Sequence, residues 1–136
     1  MTTKIRAGVF ETNSSSTHSI SICSGNPELY NTILFDSSGV IILTGGEFGW
    51  ENESYNDAWS KANYAAIYAE ENDEARAMLS KVICAHTGAK EVQFDISGYI
   101  DHQSFDVVED AFENEETLRD FIFNPHSYLE TDNDNH

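Results

Sequence analysis

Residues 72–96, NDEARAMLSKVICAHTGAKEVQFDI, decide the fold class because they place a capped helix directly before a strand. Asn72 is a suitable N-cap, since its side chain can accept a hydrogen bond from a first-turn N–H, and two acidic residues follow it. Apolar residues then recur at intervals of three and four, which predicts a helix that Gly88 ends. Between Val92 and Ile96 apolar and polar residues alternate, which predicts a strand.

The residues before this unit alternate over short stretches, which is typical of strands. Strands are predicted at Ile5–Val9 and His18–Ile22, and a hairpin is predicted across 32–43 around the turn Asp36–Gly39. A helix is predicted from near Ser54 to about Glu70. Its expected apolar stripe comprises Tyr55, Trp59, Ala62, Ala66 and Ala69.

The residues after the unit predict two more helices and a last strand. A helix capped by Ser104 would direct Phe105, Val108 and Phe112 inward, a short helix would end at Asn124, and residues 128–130 would form a strand. The fold class expected is therefore α+β, a single domain over residues 1–130, with a polar tail at 131–136. Its sheet would be mostly antiparallel, with about four helices on one face. We expect Trp59, Val82, Phe94 and Phe112 to share its core.

The charge of the chain limits its partners. Twenty-four Asp and Glu face seven Lys and Arg, which gives a formal net charge of −17. Such a surface repels nucleic acid and anionic membranes and complements a basic protein surface, although acidity also serves solubility alone. The two cysteines, Cys23 and Cys84, form no metal-binding or disulfide pattern, and no signal peptide or membrane span is evident. We expect a cytoplasmic protein without cofactor or metal; the sequence also allows a homo-oligomer.

The acidic residues concentrate toward the end of the chain. Residues 90–136 hold thirteen acids and two bases. If one helix continued from Ser104, a row of carboxylates would lie opposite its apolar side and bind the partner. A solvated outer face is the alternative interpretation. The predicted partner-binding carboxylates are Asp106, Glu109, Asp110, Glu113, Glu116 and Asp120.

Polar segments suggest an alternative ligand site. The loop Glu11–Ser19 is rich in hydroxyl groups and could surround a phosphate through its N–H and O–H groups, and its histidine titrates near neutral pH. The other contributions would come from the glycine-containing segment 45–51 and from residues 101–104. Each segment also has a structural explanation, as a turn, a core histidine or a helix cap. The residues of this alternative site are Asn13, Ser15, His18, Glu47, Asp101 and His102.

Three stretches, Val9–Ser19, Gly45–Glu51 and Ile100–Ser104, resemble segments of small hypothetical proteins from bacteriophages and their hosts. The resemblance implies a phage-type origin and a location in the host cytoplasm. It carries over no activity and no catalytic residue, and the link to inhibitors of host enzymes or defence systems is an analogy.

Three functions are compatible with these features. The first is a counter-defence inhibitor that binds a basic surface of a host protein. In this interpretation no residue is catalytic. The second is a nucleotide- or phosphate-handling enzyme or ligand-binding protein built on the alternative site. The third is an acidic accessory protein without a site.

Overall fold

The computed structural model describes residues 3–8, 16–48, 53–97, 99–100 and 108–133, and the side chains of 19–46, 54–97 and 108–131. These ranges form a single small α+β domain. The helices are α1 (Ala58–Ala69), α2 (Asp73–Thr87) and α3 (Glu115–Phe123), with 3-10 turns at Pro27–Leu29 and 108–112. The strands are β1 (Thr3–Gly8), β2 (Ser16–Cys23), β3 (Val40–Leu43), β4 (Glu47–Phe48), β5 (Glu53–Tyr55), β6 (Glu91–Phe94), β7 (Tyr99–Ile100) and β8 (Tyr128–Asn133).

The described strands form one antiparallel sheet and two short parallel pairs, in place of the single, mostly antiparallel sheet expected. The sheet has the order β1-β2-β8-β5, and the pairs are β3-β6 and β4-β7. Three α-helices and two 3-10 turns occupy the described ranges, where about four helices were expected. β8 continues to Asn133, so residues expected in the polar tail pair with β2.

The predicted hairpin across residues 32–43 is wrong, although its turn is present. The Gly39 N–H donates to the Asp36 carbonyl, and Gly39 has a φ of 77°, which favours glycine. Residues 31–36 form no strand, and Leu34 is 90% exposed. β3 instead pairs in parallel with β6, and both helices α1 and α2 lie between them in the chain, as a parallel connection requires.

The predicted cap and end of α2 are confirmed, whereas α1 begins later than expected. Asn72 accepts a hydrogen bond from the Ala75 N–H, and Gly88 ends α2 in the left-handed conformation. α1 begins only after Asp57, which accepts from the Ser60 N–H, because residues 53–55 pair with β8. Trp59 is 44% exposed, so its predicted place in the core is wrong.

The core lies between the helices and the sheet. Val82 is buried as expected, and Phe94 and Phe112 are partly buried against the core. α3 packs against β2 and against both other helices. The alanines at 58, 62, 65, 66 and 69 in α1 are buried, and their small size lets neighbouring elements approach this helix closely.

Lys61 is fully buried in α1 and ties this helix to the α3–β8 connection. Its Nζ donates to the carbonyls of Asn124 and Ser127, both at 2.8 Å, and lies 5.9 Å from the centroid of the Phe121 ring. Burial lowers the pKa of Lys61 to about 7, because desolvation penalises the ammonium. The folded protein therefore loses the proton of this residue at a lower pH than the unfolded chain.

A second hydrogen bond, made by the half-buried Tyr30, joins the 24–38 segment to α3. The Tyr30 hydroxyl donates to Oδ1 of Asp120 at 2.7 Å. Burial raises the pKa of Tyr30 to about 12, and the Asp120 carboxylate adds to this shift. Burial also raises the pKa of Asp120, since its side chain is removed from water. Asn124 extends the network by donating to the Cys23 carbonyl at 2.6 Å.

The Lys61→Met variant tests the buried amine. Between the folded pKa of about 7 and the unfolded value of 10.5, the unfolded chain holds a proton that the folded protein lacks. The free energy of unfolding of the wild type should therefore rise with pH relative to the variant, by up to about 1.4 kcal/mol per pH unit. Urea unfolding across this window measures the difference. Lys81→Met is the control, because Lys81 is exposed and pairs with Glu115 at the surface. If the difference in free energy of unfolding between wild type and Lys61→Met changed with pH no more than it does for the control, the prediction would be contradicted.

The Tyr30→Phe variant tests the hydrogen bond between Tyr30 and Asp120. It leaves the Asp120 carboxylate without its phenol donor and should lower the free energy of unfolding by about 1–3 kcal/mol at neutral pH. Tyr128→Phe, at the exposed Tyr128, should change it by less than about 0.5 kcal/mol. Equal losses in the two variants, measured by urea unfolding, would show that the Tyr30–Asp120 hydrogen bond does not stabilise the fold.

Candidate protein-binding surface

The predicted row of carboxylates lies on two elements rather than on one helix. Residues 108–112 form a 3-10 turn, in which Val108 and Ala111 are buried and Glu109 points to solvent. Asn114 then has an extended backbone with φ −159°, and its side chain caps α3 by accepting from the Thr117 N–H. Helical spacing therefore does not relate Glu109, Asp110 and Glu113 to Glu116 and Asp120.

The six predicted partner-binding residues have different environments. Glu109, Glu113 and Glu116 are exposed, and Asp110 is half-buried. Asp120 is only 6% exposed and binds Tyr30, so it does not contribute to an outward-facing surface. Asp106 lies outside the described residues.

A second acidic segment, which the sequence interpretation did not assign to the surface, joins these carboxylates. Glu70 and Glu71 lie in the turn between α1 and α2, and Asp73 and Glu74 lie in the first turn of α2; all four are exposed. A cleft of ≈ 210 Å³ is lined by Glu74 from this segment and by Glu109 from the 3-10 turn. The fold thus brings together carboxylates that are 35 residues apart in the chain.

The positions of these acids differ in their effect on the helices. Asp73, Glu74, Glu115 and Glu116 lie in first turns, where negative charge stabilises a helix by about 0.3–1 kcal/mol per residue. Glu70 is the C-cap of α1, and no basic residue lies in the last turn of this helix. Negative charge destabilises a helix C-terminus, so helix stability does not explain Glu70 and Glu71.

Basic residues neutralise part of the surface. Lys81 Nζ lies 3.1 Å from Glu115, and Arg76 Nη1 lies 3.9 Å from Asp73. Within the described residues, no ion pair or hydrogen bond engages the carboxylate of Glu74 or Glu109. Glu74 and Glu109, which line the cleft, are therefore among the acids that no described basic residue neutralises.

Another cleft, of ≈ 280 Å³, has mixed charge. Glu115, Glu116 and Arg119 line it, together with Val82, Ala85 and His86. The Arg119 Nε is buried without a hydrogen-bond partner. His86 stacks on Phe123 with ring centroids 4.1 Å apart, and its Nε2 lies 2.9 Å from the Asn31 carbonyl oxygen, so this histidine packs as part of the structure.

The structure describes only part of the alternative ligand site. Asn13, Ser15, Asp101 and His102 lie outside the described residues, and for His18 and Glu47 only the backbone is described. His18 lies in β2 opposite Gly8 and Thr131, and Glu47 lies in β4 opposite Tyr99. The β4–β7 pair thus places Glu47 beside the strand that immediately precedes Asp101.

Two further observations concern metal ions and membranes. Among the described side chains, no group of three or more His, Cys, Asp or Glu is arranged to hold a metal ion. None of the described helices combines the length and the apolar character needed to cross a membrane.

Lys61 is a buried, hydrogen-bonded amine that the sequence interpretation did not identify. It follows Ala58 by three residues and precedes Ala65 by four, so its position on the buried side of α1 could have been inferred from helical spacing. Its acceptors lie 63 and 66 residues away in the chain, and no local pattern indicates them.

Comparisons of the chain with protein-family models, curated proteins and solved structures give no match.

Proposed function

We propose that this protein binds a basic surface of a host protein through the carboxylates of residues 70–74 and 109–116, and inhibits that protein by occupying its surface. The observation that carries the proposal is the meeting of Glu74 and Glu109 at one cleft, without a neutralising cation among the described residues. A phage-type origin, a counter-defence role and action in the host cytoplasm are further parts of this proposal.

The positions of the acids support binding over solubility alone. A net charge of −17 keeps a protein soluble wherever the charges lie. Glu70 and Glu71 occupy the end of α1, where they weaken the helix, and Glu74 and Glu109 repel each other across the cleft. A basic partner would neutralise these carboxylates and relieve the repulsion, which links the arrangement to recognition.

A matched pair of charge-reversed variants tests this proposal. Glu109→Lys with Glu113→Lys changes the acidic surface, and Glu28→Lys with Glu130→Lys makes the same change in net charge at exposed positions outside the two acidic segments. Fluorescein-labelled nona-arginine serves as the basic probe, read by anisotropy. The first variant should bind about tenfold more weakly, since two exposed ion pairs contribute roughly 0.7 kcal/mol each, and the control should bind nearly as the wild type does.

Equal losses in the two variants would mean that net charge alone governs binding, and would overturn the proposal. Binding of the wild type should also weaken as salt rises, because ions screen exposed charges beyond about 10 Å at 0.1 M. The same two variants identify the physiological partner, which is a protein that the control captures from a bacterial lysate and the Glu109→Lys/Glu113→Lys variant does not.

The second candidate function is a phosphate- or nucleotide-binding site, and the β4–β7 pairing favours it. This pairing places Glu47 opposite Tyr99, next to the strand that leads into Asp101 and His102. A site there would combine these residues with Asn13 and Ser15, which precede β2 in the chain, and with His18 of β2.

Calorimetric titration with ATP and with inorganic phosphate tests this second candidate. If the site exists, the wild type binds one of the two, and His102→Ala or His18→Ala weakens the binding by about tenfold, the effect of losing one hydrogen bond to a charged group. Gln103→Ala serves as the control. Absence of binding by the wild type, or equal affinity in all variants, would exclude this function.

A further inference from the structure

The cleft that Glu74 and Glu109 line has an apolar wall. Tyr68, Met78 and Phe112 also line this cleft, and all three are partly buried against the core. The ring centroids of Tyr68 and Phe112 lie 5.1 Å apart, with an interplanar angle of 35°. Packing on the core side holds these side chains in place, so the wall is formed before any ligand arrives.

Among the residues that the structure describes, the carboxylates of this cleft have no partner. The described residues give neither Glu74 nor Glu109 an ion pair or a hydrogen bond. The cation nearest along α2, Arg76, is directed toward Asp73 and toward the ring of Phe94, whose centroid lies 5.3 Å from its Cζ. The cleft therefore offers negative charge beside aromatic faces.

These two features together select a planar organic cation. A guanidinium group is attracted to the face of an aromatic ring and donates two parallel hydrogen bonds to a carboxylate. A lysine ammonium is more strongly hydrated and lacks this planar fork. The described carboxylates form no cluster suited to a metal ion.

The size of the cleft also fits one side chain. Its volume of ≈ 210 Å³ corresponds to roughly seven water molecules at about 30 Å³ each. Pockets for drug-sized ligands and cofactors begin at about 300 Å³. A single arginine side chain, with seven non-hydrogen atoms beyond Cα, matches the smaller value.

We infer that this cleft is the anchor point for an arginine side chain of the basic partner, which stacks on Tyr68 or Phe112 and pairs with Glu74 and Glu109. The inference rests on the proposed function for the source of the arginine. It adds a residue-specific pocket, filled by one guanidinium, to a surface that otherwise attracts any basic protein. Arginine is among the residues that dominate binding when they fill a pocket at an interface.

Titration with a small ligand tests the pocket without a partner protein. N-acetyl-arginine methylamide is added at millimolar concentration to the ¹⁵N-labelled full chain, with N-acetyl-citrulline methylamide as its uncharged analogue. The arginine derivative should shift the amide signals of Tyr68, Glu74, Met78 and Phe112 in a saturable manner, and the citrulline derivative should bind about tenfold more weakly, because it lacks the charge that both carboxylates attract.

Variants separate the pocket from general charge attraction. Glu74→Gln with Glu109→Gln should weaken arginine binding by about tenfold, while Glu70→Gln with Glu71→Gln, which removes as much charge outside the cleft, should leave it almost unchanged. Phe112→Leu should also weaken binding, because it keeps apolar volume but removes the ring. Its fold is checked by circular dichroism and thermal unfolding.

Two outcomes would overturn the inference. One is a set of small, non-saturating shifts spread over all acidic segments; the other is equal loss of affinity in the two glutamine variants. Either result would leave the nona-arginine experiment unaffected, so the pocket can fail while the acidic surface stands. Conversely, saturable arginine binding with equal losses in the two charge-reversed variants would retain the pocket and reject the broader surface.

Discussion

The hydrogen bonds of the Lys61 amine are the interaction on which the arrangement of the elements depends. The two carbonyls that accept from Nζ belong to Asn124 and Ser127, between the end of α3 and the start of β8. Through this one atom α1 fixes the turn that returns the chain from the helices to the sheet. An apolar residue at this position would leave both carbonyls in the core without a donor, which is costly for buried polar groups. This contact helps to position β8, which completes the four-stranded sheet by pairing with β2 and β5.

The parts of the fold that could be predicted from the sequence are those determined by neighbouring residues. Asn72 and Gly88 delimit α2 through bonds to residues three and four positions away, so their chemistry is visible in the chain. The same pattern of Asn followed by two acids recurs at Asn114, and it marks the start of α3, the short helix that the sequence predicted to end at Asn124. The pairing of β3 with β6 could not be inferred in this way, because the two strands are 48 residues apart at the nearest.

For the candidate surface, too, contacts between distant segments could not be predicted from the sequence. Glu109, Glu113 and Glu116 were assigned from the density of acidic residues, and their exposure agrees with a surface position. Asp120 looked equivalent in sequence, yet the Tyr30 hydroxyl and the interior around it make it part of the core. The meeting of Glu74 with Glu109, and of Tyr68 with Phe112, depends on how α1 and α2 pack against the 3-10 turn. Such contacts between distant segments carry no periodic signature.

The position of β8 has a consequence for the biosynthesis of the protein. This strand comes after α3 in the chain, yet it lies between β2 and β5 in the sheet. Cys23 and Ser127, which hydrogen-bond to each other, are 104 residues apart. During translation β1 and β2 leave the ribosome long before β8, the strand that joins them to β5, is made. Until then the apolar side chains of these two strands have no core to pack against. Contacts of such sequence separation slow folding, because a long loop must close before they form. The nascent chain therefore exposes an unpaired edge of β2 until β8 has been made and has left the ribosome. The high negative charge of the chain keeps such molecules apart during that interval.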